Sequence, residues 1–233
     1  MTEFSARAFL FDMDGTLVAN MQFHTRVWQP MLAEEGVEMD AHQFLVKTAG
    51  KTNREILPTI FENISETDLV RLGLRKEELY RGFFIEHRRP VPGTVQFLEA
   101  ARNAGIKMAV ATAAPDANVE FILDGLDLRR FFDAVTTAAD IKNGKPDPEI
   151  FLTSAEKLGI KPENCIVFED AINGLEAARR AKMVAIGITT VNSAEDMLKL
   201  CHVVEAHSDF TGIDPADLVE RYLPLTTAKS NEE

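Results

Sequence analysis

Cysteine is scarce: Cys165 and Cys201 are the only two in 233 residues. That excludes the disulfide frameworks that hold small secreted domains together, and a reducing compartment, the cytoplasm, is the simplest expectation. Cys165 lies in the apolar run Cys165-Ile166-Val167-Phe168 and reads as a small buried residue. The start, Met1-Thr2-Glu3-Phe4, lacks the basic and apolar regions of a signal peptide. Without secretion, the triplet Asn63-Ile64-Ser65 carries no meaning as a glycosylation site. No apolar run is long enough to span a bilayer, so no membrane partner is expected. Basic charge is also short: 25 Lys and Arg stand against 37 Asp and Glu, a formal charge of -12. No surplus is left to neutralise nucleic-acid phosphates, and nucleic acid is excluded as a partner. An anionic substrate would need a divalent cation to offset this charge locally. Internal repeats and low-complexity tracts are absent.

Short apolar runs alternate with helical stretches, in the manner of βαβ units. Strands are predicted at Ala8–Phe11, Lys107–Ala111, Ala134–Thr136, Cys165–Phe168, Val184–Ile188 and Val203–Glu205. Most are apolar almost throughout, as in parallel strands covered on both faces. Helices are predicted from Pro92-Gly93 to Gly105, from Glu149 to a stop at Gly159, from Leu175 to Ala181, and after Ser193 as cap. From Thr226 onward the chain is polar and expected to fray. The fold class is α/β, a doubly wound parallel sheet.

Residues 19–89 differ. They show no strand pattern. Phe23, Val27 and Met31 recur at four-residue spacing, as do Ile56 and Ile60, then Leu79 and Phe83. This predicts a helical module inserted after the first strand, with kinks or breaks at Pro30 and Pro58. The expected division is 1–18 with 90–233 as the α/β core, and 19–89 as a helical domain.

In such sheets ligands bind beyond the carboxyl ends of the strands. The residues there are Asp12-Met13-Asp14-Gly15-Thr16; Thr112, Ala113 and Ala114; Gly144-Lys145-Pro146-Asp147-Pro148; and Glu169-Asp170. Taken singly, an Asp-Gly is most often a turn, Lys145 a solvated lysine, and Glu169-Asp170 a helix cap. Taken together, acids, a hydroxyl and one lysine suit magnesium-assisted phosphoryl transfer better than hydride or acyl transfer. Magnesium prefers oxygen ligands and is held by one or two carboxylates plus a phosphate oxygen. Asp12 and Asp170 can supply the carboxylates, and Thr112 and Lys145 can hold phosphate oxygens. Either aspartate of the first pair can attack phosphorus while the other exchanges protons with the leaving oxygen and water. Gly50-Lys51-Thr52 is no P-loop, because Leu45 stands where that motif needs glycine. In the helical module it faces the substrate or simply starts a helix. Lys51 and Arg54 are candidate leaving-group contacts.

This spaced set, Asp12-Met13-Asp14-Gly15-Thr16, Thr112, Lys145-Pro146 and Glu169-Asp170, resembles the haloacid dehalogenase-like (HAD) superfamily, in the branch of beta-phosphoglucomutases and small-metabolite phosphatases. The resemblance covers nearly the whole chain and implies a Rossmann-like core with an α-helical cap. It implies Asp12 as nucleophile and magnesium ligand, and Asp14 as acid/base with its backbone carbonyl on the metal. Thr112, with Ala113 beside it, and Lys145 would hold the phosphoryl group. Asp170 would complete the Mg2+ site, with Glu169 in direct contact or one shell behind. His24, in Phe23-His24 with Arg26 and Trp28, would couple cap closure to acid/base alignment; Trp28 itself reads as cap core. The cap would swing about linkers near 18–20 and 88–92. Because Asp14 is present, the dehalogenase and phosphonate-hydrolase branches are excluded.

Departures separate hydrolysis from mutase chemistry. Mutases place serine and lysine where Ala114 and Pro115 stand, and a lysine where Ala49 stands; the hinge reads Val18-Ala19-Asn20 instead of a Thr-Asp-Thr-like run. A bisphosphate would lose several charge-assisted hydrogen bonds. The expected activity is therefore a phosphatase acting on a small phosphorylated metabolite, with a beta-phosphoglucomutase as the alternative. A phospho-accepting signalling module fits less well, since those acids follow a later strand and no cap is inserted. A monomer is compatible with the sequence.

Overall fold

The computed structural model describes residues 7–38, 40, 44 and 51–223. Met1–Phe4, Leu45, Ala49, Gly50 and the tail from Thr226 lie outside the described residues. Six strands, β1 (Ala8–Phe11), β2 (Lys107–Ala111), β3 (Ala134–Thr136), β4 (Cys165–Glu169), β5 (Val184–Ile188) and β6 (Val203–His207), form one parallel sheet in the order β3-β2-β1-β4-β5-β6. The order reverses around β1, which pairs with β2 on one side and β4 on the other. A crevice therefore opens beyond the carboxyl end of β1.

Alternation along the strands sorts the two faces by size. Phe9 and Phe11 point into a layer with Met108, Val110, Ile166 and Phe168, whereas Ala8 and Leu10 face the opposite layer with Ala109, Ala111, Cys165 and Val167. On the first face Phe11 stacks on Phe168 at 4.8 Å between centroids, with Phe97 and Phe210 closing the aromatic group. Small side chains on the second face let helices approach the sheet closely.

Helices α1 (Met21–Glu34), α2 (Asn53–Ile56) and α3 (Glu66–Phe84) lie between β1 and β2; no strand occurs there among the described residues. Trp28, Met31, Leu32, Ile56, Leu57 and Leu72 form their own apolar cluster. Thr52 and Glu55 form a capping box on α2, and Ser65 caps α3. Pro30 does not end α1, whereas Pro58 lies in the 3-10 turn that follows α2. Phe83 corrects the apolar reading: it is exposed, under the Arg26 guanidinium at 5.7 Å.

The remaining helices are α4 (Thr94–Asn103), α5 (Asp116–Val119, continued as a π-turn at Glu120–Asp124), α6 (Glu149–Leu158), α7 (Ile172–Arg180), α8 (Ala194–Leu198) and α9 (Pro215–Tyr222). Ser193 caps α8 as predicted, through the Asp196 N–H. Helix α7 begins before the predicted Leu175, and β6 extends past Glu205. No helix among the described residues is long and apolar enough to cross a membrane.

Phe168 is fully buried and touches Phe9, Phe11, Phe97 and Phe210. Phe168→Ala should cost about 3–5 kcal/mol in urea unfolding. Leu198→Ala, at a half-exposed site, should stay within about 0.5 kcal/mol.

Candidate active site

Asp12 is the first residue beyond β1, and its N–H donates to the Phe168 carbonyl at 3.0 Å, extending the ladder by one bond. This brings Asp12 beside Glu169 and Asp170 at the end of β4. One oxygen from each of the three carboxylates lies within 4.8 Å of the others, and all three residues are buried. Between them comes Lys145, 1% exposed, whose Nζ donates to Asp12 Oδ1 at 2.5 Å and Glu169 Oε2 at 2.8 Å. Lys145 is thus a buried ion-pair partner rather than a solvated surface lysine.

One ammonium does not balance three carboxylates. Burial and the Glu169 charge push Asp12 well above the usual carboxylate range, against the pull of Lys145. Burial, Glu169 and Asp12 do the same to Asp170. Lys145 is held up by Asp12 and Glu169 although burial opposes it. Asp170 Oδ1 accepts from the Thr16 hydroxyl at 3.1 Å. A hard divalent cation with oxygen ligands fits this set, and magnesium meets that description. Glycine is required at 15 on two counts: its φ is +90°, and a Cβ there would overlap the Asp170 carboxylate.

Asp14 lives in a different setting. Asn20 donates to its Oδ1 at 2.5 Å and to the Tyr80 hydroxyl at 2.6 Å, while Asn20 Oδ1 accepts from Gly15 N–H. His24 Nε2 lies 3.6 Å from Asp14 Oδ1, and its ring stacks on Tyr80 at 3.8 Å. Burial would raise Asp14, but His24 and Asn20 outweigh it and hold the carboxyl below its ordinary range. Lys76 Nζ lies 2.7 Å from His24 Nδ1 and donates to Glu77 at 2.8 Å. Glu77 also accepts from Asn53 and from Asn118 of α5. Burial opposes its ionisation, yet Lys76, His24 and Asn53 draw it down to about 2.

A cavity of about 460 Å³ opens between the acids and α1–α3. Thr112, Ala113, Ala114, Pro115, His24, Lys51 and Arg54 all line it, with Asp12, Asp14, Glu169 and Asp170. Thr112 is buried and its hydroxyl accepts from Ala114 N–H. Arg54 is also bonded to Glu66 at the surface. Trp28 packs in the helical cluster as predicted while one edge reaches the cavity.

Lys76, Glu77, Tyr80 and Asn118 escaped the sequence reading, and Asn20 entered it only as part of the hinge. Lys76 and Glu77 lie in the run Arg75-Lys76-Glu77-Glu78, which looks like a solvated helix face. The available signal was periodic: Leu72, Lys76, Tyr80 and Phe84 follow one buried stripe at four-residue spacing.

A parallel α/β sheet with paired acids after its first strand, a buried lysine and an oxygen-rich metal set defines a phosphoryl-transfer enzyme. Residues 6–182 match the haloacid dehalogenase-like hydrolase family, and the chain belongs to it. It is 34% identical over 181 residues to fructose-1-phosphate phosphatase YqaB of Escherichia coli, covering 77% of this chain and 94% of that protein. A phosphorylated carbohydrates phosphatase of Thermotoga maritima is 34% identical over 177 residues, covering 75% and 81%. The solved structure of a beta-phosphoglucomutase from Clostridium difficile superposes with a TM-score of 0.82 at 27% identity, covering 94% of this chain and 97% of that one. The chain is a magnesium-dependent phosphoric monoester hydrolase with a helical cap, acting on a small phosphorylated metabolite through an aspartyl-phosphate.

Two tests address this electrostatic arrangement. In metal-free protein Asp170→Asn should raise the unfolding midpoint, because it removes one of three crowded charges. Magnesium at about a hundredfold its Kd should stabilise the wild type by about 2.7 kcal/mol and leave Asp170→Asn unmoved in calorimetry. Glu77 has a lowered folded value, so its contribution is complete above its ordinary 4.5 and is lost as pH falls towards about 2. That contribution amounts to about 3 kcal/mol. Urea titrations across this window should show a shallower acid dependence for Glu77→Gln than for wild type.

Proposed function

We propose that the protein hydrolyses a phosphorylated carbohydrate to the free carbohydrate and inorganic phosphate, in the cytoplasm. The two phosphatase relatives support the substrate class, and the cavity volume suits one small molecule. Both cysteines are free, which is compatible with a reducing compartment. Residues 1–18 and 90–233 serve as the catalytic core and 19–89 as the cap, hinged near 18–20 and 88–92.

The observation that carries the mechanism is the contrast between neighbouring carboxylates. Asp12 is paired with the Lys145 ammonium, whereas Asp14 is held by Asn20 and His24. Lys145, and a cation when bound, would hold Asp12 ionised for attack, while Asp14 stands apart from the three crowded acids and is free to exchange protons. An Asp12 oxygen attacks phosphorus as the bond from phosphorus to the leaving oxygen breaks. Asp14, which must enter this step protonated, donates that proton to the leaving oxygen. Water then attacks phosphorus, the bond to Asp12 breaks, and Asp14 takes the water proton back. The lowered Asp14 is suited to this second half-reaction. Thr112, Ala113 and Lys145 hold the phosphoryl group; Lys51 and Arg54 contact the leaving group; His24 aligns Asp14 when the cap is shut. Asp12, Asp170 and the Asp14 carbonyl, with Glu169 in support, would hold magnesium, which would supply charge neutralisation at the phosphoryl oxygens.

Hydrolysis is favoured over mutase chemistry because Ala114 and Pro115 line the cavity and offer no side-chain donor for a second phosphate. With magnesium and a panel of sugar phosphates, we expect release of inorganic phosphate. Asp12→Asn should abolish it, and Asp14→Asn should lower kcat by about 100- to 10,000-fold. Conversion of beta-glucose 1-phosphate to glucose 6-phosphate, primed by glucose 1,6-bisphosphate and without phosphate release, would overturn the hydrolase assignment.

A further inference from the structure

The carboxylate of Glu55 serves two separate parts of the chain. Its Oε2 accepts from the Thr52 N–H at 2.9 Å and the Thr52 hydroxyl at 2.8 Å, closing the box at the start of α2. Its Oε1 accepts from the Gly144 N–H at 3.0 Å, across 89 residues of sequence. Gly144 is buried, and its carbonyl accepts from Asp147 N–H at 3.0 Å to close a turn. That turn contains Lys145. The helical insertion therefore grips the lysine-bearing turn through one charged hydrogen bond to its backbone.

The residue type at 144 supports the same conclusion. Gly144 is not among the glycines with positive φ, so its backbone conformation is open to alanine. Space is what excludes a side chain: a Cβ would sit on the Glu55 carboxylate. Since that carboxylate ends a flexible side chain, an added methyl would expel it rather than disrupt the core.

We propose that Glu55 is a positioning residue that latches the cap onto the Gly144–Asp147 turn, so that cap closure fixes Lys145 against Asp12. The inference rests on the phosphatase reading, in which Lys145 holds the phosphoryl group. With the cap shut, the turn is held at Gly144 by Glu55 and at the Lys145 ammonium by Asp12 and Glu169. With the cap swung away, the Gly144 N–H loses its charged acceptor. The end of the Lys145 side chain is then fixed while its backbone is not.

A double-mutant cycle tests this. Wild type, Glu55→Ala, Gly144→Ala and the double variant are compared by turnover of p-nitrophenyl phosphate with magnesium, and by exchange of the residue-144 amide in NMR spectra. A charge-assisted hydrogen bond of ordinary strength corresponds to a loss of about tenfold to a hundredfold in kcat/KM for each single variant. If both act through one contact, the double variant is no worse than Glu55→Ala. The amide should exchange faster in Glu55→Ala than in wild type. Independent, multiplicative losses, or an amide that exchanges in Glu55→Ala as in wild type, would overturn the latch while leaving the phosphatase standing. If wild type turned over no phosphomonoester at all, the phosphatase reading would fail, and amide exchange would still decide the contact.

Discussion

The Lys145 ammonium between Asp12 and Glu169 is the interaction on which the site depends. Carboxylates at this depth are tolerated only when paired, since isolated buried charges cost several kcal/mol. Each of the three groups comes from a different segment: the end of β1, the end of β4, and the turn before α6. Parallel pairing of β1 with β4, Phe11 opposite Phe168, sets the two acids side by side. The aromatic layer beneath them thus does more than stabilise the sheet. It fixes the register that places charge against charge.

The second polar system is built differently. Around Asp14, an amide and stacked rings do the holding: Asn20, Tyr80 and His24 meet there, with Lys76 and Glu77 behind. Most of these come from α1 and α3, so the cap supplies the surroundings of one aspartate while the sheet supplies those of the other. Asn20 joins the two, since its side chain reaches Gly15 in the loop after β1 and Tyr80 in the cap.

How legible this was depended on whether chemistry or distance carried the signal. The strands β1, β2, β3 and β5 were readable with their ends because apolar runs stop at acids, glycine or threonine. The acids themselves stood out because a buried strand delivered them. Lys145 was legible only in company with the other segments; alone it looks like any loop lysine. Lys76 and Glu77 were not legible, because a charge run on a helix usually faces water and only the tertiary fold shows that this one does not. Helix α5 was missed because Pro115-Asp116-Ala117-Asn118 is short and polar, with turn-like residues. Asn20 was noticed only as a departure from the mutase hinge, although its position just before α1 places its amide beside Asp14.

Chain connectivity has a consequence for biosynthesis. Strand β1 is made first, yet both of its neighbours come much later: Ala8 pairs with Lys107 and with Cys165. While the ribosome extends the insertion, the nascent first strand has no native partner on either edge. Contacts of such long sequence separation form late. The Asp170 carboxylate follows Asp12 by more than a hundred and fifty residues. A growing chain therefore carries Asp12 well before the acids that share its site have been made.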